Sequence, residues 1–247
     1  MLEEIFRRAG MRTRGARMQD EPSVKGLTRR QELAETAVFL LLILPSMALS
    51  FLAVGQGALP FPLVAATTIL RDAGLVALIL LLLARARQSV AAIGWVRRTV
   101  GREIILGVVL SVPVLIGVTA LNAALRTAHL SGPRTLPTGL VPAPRFGTLL
   151  LAVVLVAVVA VAEETIFRGY LLLRFTRLLR SRAGAVLLSS VVFSIGHGYE
   201  GSAGVLTVGV TGVVFAIVYL WRRSLVAPIV MHFCLDFITI VLVPLLR

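Results

Sequence analysis

The sequence predicts an all-α, polytopic transmembrane helical bundle of about seven spans. Two observations carry that reading. The 247-residue chain is 57% hydrophobic, with a mean hydropathy of +0.93, whereas a soluble domain is about 45–50% apolar. The excess is gathered into blocks of roughly 20 residues, the length that crosses a bilayer core as a helix. No long polar linker separates the blocks, so one continuous membrane domain is the simplest organisation. Within it we distinguish a basic N-terminal tail over residues 1–33, transmembrane helices with a connecting loop over 34–146, and a core that carries the chemistry over 147–247.

The spans are expected near 35–54, 62–84, 103–125, 147–173, 183–199, 203–221 and 225–246. The fifth is short. Pro45 and Pro113 fall inside spans one and three and are read as kinks, because membrane helices tolerate proline. The segment Ser89–Val100, with Trp95 ahead of Arg97 and Arg98, reads as an interfacial helix.

Net charge is +13, and Lys25 is the one lysine. Arginines concentrate between apolar blocks rather than on one patch. That pattern reports topology and contact with anionic lipid head groups, not nucleic-acid binding. The tail carries Arg7, Arg8, Arg12, Arg14, Arg17, Arg29 and Arg30, and is expected to rest on head groups. Arg85, Arg87, Arg97, Arg98 and Arg102 mark one loop. Arg174, Arg177, Arg180 and Arg182 mark another, and Arg222 with Arg223 marks a turn. These alternate with arginine-poor connections, which puts the N-terminus in the cytoplasm of a multi-pass protein of the plasma (inner) membrane. The 126–146 loop runs against the trend with Arg126, Arg134 and Arg145; its Gly and Pro content makes it irregular. The first apolar block begins near Thr36, too late for a secretory signal, so the N-terminus is expected to be retained. Cys234 is the single cysteine, so no internal disulfide framework exists.

Ionisable groups inside a bilayer cost several kcal/mol each and are functional candidates by default. The second half of the chain has a set of them. Glu164 and Arg168 are four residues apart, share a helix face and can pair. Glu163 is turned about 100° away from Glu164 and lacks a local cation, which suits a general base or acid. His197 ends the fifth span between Gly196 and Gly198, where the missing side chains allow backbone or substrate to approach closely. His232 and Asp236 lie one turn apart on a single face, so the aspartate can orient the imidazole. At about 1.5 Å per residue, Glu163, His232 and Asp236 lie roughly 14–20 Å beyond the inner arginines, and His197 roughly 22 Å beyond Arg182. His197 is thus the outlier in depth.

In this order, Glu-Glu-x-x-x-Arg (Glu163, Glu164, Arg168), Phe-x-x-x-His (Phe193, His197) and His-x-x-x-Asp (His232, Asp236) resemble the CPBP family of CAAX-protease and bacteriocin-processing proteins, also called Abi. The resemblance covers roughly residues 145–240 and implies an all-helical intramembrane endopeptidase acting on membrane-bound or prenylated, CAAX-like peptides or proteins. It implies that Glu163 and His197 activate water, that His232 and Asp236 occupy the oxyanion-stabilising positions, and that Glu164 and Arg168 support them. CAAX-processing members have asparagine where Asp236 stands. An ionised aspartate cannot donate a hydrogen bond to an oxyanion, so Asp236 must be protonated, orient His232 or help bind a metal.

Two mechanisms are open on the sequence. In one, Glu163 is a metal-free general base. In the other, Glu163, His197 and His232 ligate Zn2+, which keeps an open position for water. Two further functions compete with proteolysis. Intramembrane Glu, His and Asp also build the relays of proton-coupled transporters, with Arg71 and Asp72 as the best additional residues; these two, being adjacent, are expected to face different ways and to pair between helices. A non-catalytic bacteriocin self-immunity protein is the other. His129 reads as solvated and Cys234 as packing.

Overall fold

A computed structural model describes residues 27–51, 59–97, 99–132 and 138–246, and every regular element within them is helical. Helix α1 (Arg29–Leu49) starts on Thr28. The Thr28 hydroxyl accepts from the Gln31 amide, and the Gln31 side chain accepts from the Thr28 amide, so two N–H groups at the helix start are satisfied reciprocally. α2 (Phe61–Arg85) starts behind Pro60, which presets the entry geometry. α3 (Val100–Thr127) and α4 (Phe146–Glu163) follow, then α5 (Leu172–Leu179), α6 (Arg182–Ile195), α7 (Gly201–Arg222), α8 (Val226–Asp236) and a last turn, α9 (Val243–Leu245). Pro45 and Pro113 lie inside unbroken α1 and α3.

Among the described residues, six helical stretches are long and apolar enough to cross a membrane: 29–49, 61–85, 100–127, 146–179, 198–222 and 226–245. The expected fifth span is α6, with 14 residues. Large apolar side chains point outward along these rods. Leu41, Leu70, Ile105 and Ile116 are 71%, 73%, 66% and 65% exposed, an arrangement stable against lipid and not against water. Charged groups turn inward: Asp72, Glu103, Glu164, Arg168 and Arg174 are buried. α2 packs along α4, α3 along α8, and α6 along α7, which brings the second-half motifs to one interior.

Two π-helical turns interrupt the rods. One, Glu164–Leu171, joins α4 to α5; the other, Phe237–Leu242, joins α8 to α9. The first begins directly after Glu163 and the second directly after Asp236. Such turns locally change which side chains face inward and recur at functional sites.

Two expectations are corrected. Arg174 and Arg177 do not lie in a loop; the fourth span runs on through α5. Arg174, 0% exposed, reaches Glu32 (3.4 Å) and Glu35 (3.2 Å) of α1, and Arg177 reaches Glu32 at 2.8 Å. Acidic partners on α1 hold these arginines in the helix. Arg174→Ala leaves Glu35 without its partner and is expected to cost about 3 kcal/mol, read as a lower unfolding midpoint in detergent. Equal stability would show that the clamp contributes nothing.

Nor do the described residues 89–97 form one continuous helix. A short 3₁₀ turn, Val90–Ile93, forms and ends at Gly94 in the left-handed region at φ 89°. The cause is burial. Leu225 N–H donates to the Gly94 carbonyl at 3.0 Å, and a β-carbon on Gly94 would lie 2.5 Å from the Tyr219 ring. Trp95 Nε1–H donates to Thr165 Oγ1 at 3.2 Å, and Ile93 and Gly94 are buried against the first π turn and α7, while Val90 and Trp95 stay exposed. The tail arginines Arg7, Arg8, Arg12, Arg14 and Arg17 lie outside the described residues. His129 is exposed, as expected, and Cys234 is partly buried.

Candidate active site

The site is assembled from the ends of α4, α6 and α8. The expected Glu164–Arg168 pair forms: Arg168 Nη1 lies 2.9 Å from Glu164 Oε1, with side chains 2% and 0% exposed. A buried cation needs more than one partner. The Arg168 guanidinium also stands 4.2 Å from the centroid of Phe193 and 5.3 Å from that of Phe215, where the ring faces attract positive charge. Phe193, the first residue of the Phe-x-x-x-His motif, therefore also shields Arg168.

His232 sits between three carboxylates. Its Nδ1 is 2.9 Å from Glu164 Oε1. Its Nε2 is 3.4 Å from Asp236 Oδ2 and 3.7 Å from Glu163 Oε2. A carboxylate accepts, so Nδ1 carries the hydrogen it gives to Glu164 and Nε2 faces Glu163 and Asp236. Orienting His232 thus falls to Glu164, at shorter range than the neighbouring Asp236. Nothing in the helical period of α4 or α8 could show this, because the contact joins residues 68 apart.

Exposure divides the cluster. Glu164 and His232 are 0% and 7% exposed at their side chains, whereas Glu163 is 17% and Asp236 28%. The inner layer is Glu164–Arg168. The open face is Glu163, His232 Nε2 and Asp236. Glu163 Oε2 is buried without a hydrogen-bond partner, so it is free to accept a proton.

His197 follows α6. Its Nδ1 is 3.2 Å from the Phe193 carbonyl, which as an acceptor fixes the hydrogen on Nδ1 and leaves Nε2 as an acceptor. Its ring centroid is 4.9 Å from that of Phe193, and Phe193 is in turn 6.2 Å from His232. Phe193 therefore stands beside both histidines. The glycines beside His197 serve α1 instead of a substrate. A β-carbon on Gly198 would strike the Phe51 ring, and Gly198 N–H donates to Ser50 Oγ at 3.0 Å.

Among the described residues, no three His, Cys, Asp or Glu side chains stand in an arrangement that could hold a metal ion. Nδ1 of His232 donates to Glu164 and Nδ1 of His197 to the Phe193 carbonyl, which leaves both Nε2 atoms as the ring nitrogens that face the site. The set Glu163, His197 and His232 is not preassembled as ligands.

Residues 145–238 match the family model for type II CAAX prenyl endopeptidase Rce1-like proteins. This segment is Rce1-like. The CPBP resemblance is borne out over it, and the match spans every motif residue from Glu163 to Asp236. It supports a membrane endopeptidase in general. Comparison with curated proteins and with solved structures gave no match.

Around the Rce1-like core the structure adds residues that the motif reading did not single out. Phe215 lies 5.8 Å from His232, ring to ring. Tyr199 lies 5.9 Å from His197 in the same sense. Arg71 and Asp72 do not pair between helices: Arg71 Nε and Nη2 each reach Asp72 Oδ1 at 2.9 Å, neighbour to neighbour.

Proposed function

We infer that the chain is an intramembrane endopeptidase in which Glu163 is the general base. The observation that supports this most directly lies in the polar cluster of the Rce1-like segment: a buried acceptor oxygen of Glu163 with no hydrogen-bond partner, beside His232 Nε2 at 3.7 Å. Glu163 takes a proton from the attacking water, the hydroxide adds to the scissile carbonyl carbon, and the proton passes to the departing amine as the C–N bond breaks. His197 Nε2 accepts from the same water and aims it. His232 Nε2 and Asp236 share one proton and offer it to the developing oxyanion, the task for which an ionised aspartate alone lacks a donor. Glu164 and Arg168 hold His232 in register.

The substrate is a membrane-bound or membrane-proximal peptide, with prenylated CAAX-like peptides as one class. The arginine pattern sets the N-terminus in the cytoplasm and the basic loops against anionic lipid of the plasma (inner) membrane.

The test uses purified protein in lipid vesicles with lipid-tethered fluorogenic peptides, prenylated and not. Time-dependent cleavage supports the reading. Substrate flux that needs Glu163, without cleavage, overturns it in favour of transport. Metal content is measured on the same preparation. Activity is expected to persist in metal-free protein. Loss on chelation with recovery on adding Zn2+ would replace the metal-free mechanism with the zinc one.

A further inference from the structure

Helix α6 ends at Ile195, and the turn that follows it carries His197. A helix end leaves its last carbonyls without partners along the chain. Within the turn, Gly196 N–H donates to the Phe193 carbonyl at 3.2 Å, His197 N–H to the Ser194 carbonyl at 3.0 Å and Glu200 N–H to the His197 carbonyl at 2.9 Å. The Ile195 carbonyl and the Gly198 N–H, which flank His197, are met from another helix. Ser50 Oγ, at the C-terminal end of α1, stands 3.1 Å from the Ile195 carbonyl and accepts from Gly198 N–H at 3.0 Å. Its hydrogen is shared between Ile195 and the Met47 carbonyl, 2.6 Å away. Both glycines of the turn make room for the same end of α1. A β-carbon on Gly196 would lie 2.8 Å from Met47 Cε, and one on Gly198 would meet the Phe51 ring. Met47, Ser50 and Phe51 thus close around the backbone on both sides of His197. All three lie outside the Rce1-like residues 145–238.

We propose that Ser50 is a positioning residue for His197, whose hydroxyl fixes the turn from both flanks and so sets where the imidazole Nε2 points. The bond from His197 Nδ1 to the Phe193 carbonyl, at 3.2 Å, orients the ring on its own helix. Ser50 ties that turn to α1, 148 residues earlier in the chain. A hydroxyl suits the task because it donates and accepts at once. One atom therefore serves a carbonyl before the histidine and an N–H after it. Alanine leaves the buried Gly198 N–H without this partner, and the turn is free to relax. A group that aims water loses rate when it moves by a fraction of an ångström. Ser50 acts through the backbone rather than on the substrate, so the loss falls on kcat and not on KM.

The inference rests on the proteolytic reading for the task of His197, and the experiment reads the anchor separately from turnover. The full chain in detergent micelles is compared with Ser50→Ala, Ser50→Thr and Ser46→Ala. Ser46 is the control, because its hydroxyl donates to the Ile43 carbonyl of α1 itself, at 2.8 Å. Amide hydrogen exchange, followed by mass spectrometry of peptides covering 195–200, reads the turn. Cleavage of a lipid-tethered peptide gives kcat and KM. Ser50→Ala is expected to speed exchange at Gly198 about five- to tenfold, the ratio one hydrogen bond gives. It is expected to lower kcat by about the same factor with KM unchanged. Ser50→Thr keeps the hydroxyl and should restore both readings, and Ser46→Ala should match the parent in both. Exchange across α8 should stay at the parental level in every variant. Unchanged exchange at Gly198 overturns the assignment, and so does faster exchange there with kcat intact, which makes Ser50 a structural anchor alone. A kcat loss that Ser50→Thr does not recover, that Ser46→Ala shares, or that comes with faster exchange across α8 also overturns it. A parent that cleaves no peptide sinks the proteolytic reading, while the exchange pair still decides whether Ser50 holds the turn. Cleavage that is indifferent to Ser50 sinks this inference alone.

Discussion

Glu163→Gln is expected to lower cleavage by between about 10²- and 10⁴-fold, the range a positioned general base supplies, while the protein folds as before. The two halves of that expectation have different causes. The amide is nearly the same shape, and Glu163 makes no hydrogen bond that the fold relies on: its Oε2 has no partner, and its approach to His232 is 3.7 Å, beyond bonding range. Unfolding should therefore be unchanged. Glutamine, however, cannot take a proton from water at any useful rate. Turnover should fall in kcat more than in KM, because the lost interaction is made in the transition state. Initial rates on a lipid-tethered peptide, paired with a thermal unfolding curve in the same detergent, check both halves. Undiminished turnover would remove Glu163 from the mechanism.

Glu164→Ala is expected to be the most damaging single change to the fold, at about 3–5 kcal/mol. It takes the carboxylate from Arg168, whose side chain is 2% exposed, and leaves a buried cation with two aromatic faces and no anion. It also releases His232 Nδ1. The double variant Glu164→Gln with Arg168→Met separates these roles. It removes both charges together, so much of the stability should return, since replacing a buried ion pair by apolar volume is often neutral. Activity should not return to the parental level, because a glutamine is a weaker acceptor for His232 Nδ1. Unfolding midpoints and cleavage rates of Glu164→Gln, Arg168→Met and the double variant form the cycle. A double variant as unstable as Glu164→Ala would show that the pair is not what holds this layer.

Much of the site was legible because the cost of charge in a bilayer makes each buried Glu, His or Asp conspicuous in a hydrophobic run. Helical spacing then gave the Glu164–Arg168 pair, a contact within one turn that any helix enforces. It also turned Glu163 about 100° away from that pair, while which of the two glutamates is the more accessible came from the structure. Spacing misled wherever the deciding partner was on another helix. Arg174 looked like a loop arginine until Glu32 and Glu35 of α1 were seen beside it. Arg71 and Asp72 looked divergent, yet the long arginine side chain folds back onto its neighbour. Ser89–Val100 looked amphipathic, but Gly94 and Ile93 are drawn under the first π turn. The π turns themselves left no signal, because the same residues satisfy an α-helical pattern equally well.

What the sequence determined by itself was the solvent and the inventory. Twenty-residue apolar blocks require a bilayer and helices, and a handful of ionisable groups within them mark where chemistry is possible. What only the tertiary structure decided was which group meets which. Glu164, not Asp236, is the close orienting partner of His232; Phe193 shields Arg168 and stands beside both histidines; Arg71 folds back onto its neighbour Asp72. The physical reason is range. Propensity and periodicity act over a few residues, whereas a buried charge is settled by the nearest complementary group in space, and here that group lies on a different helix.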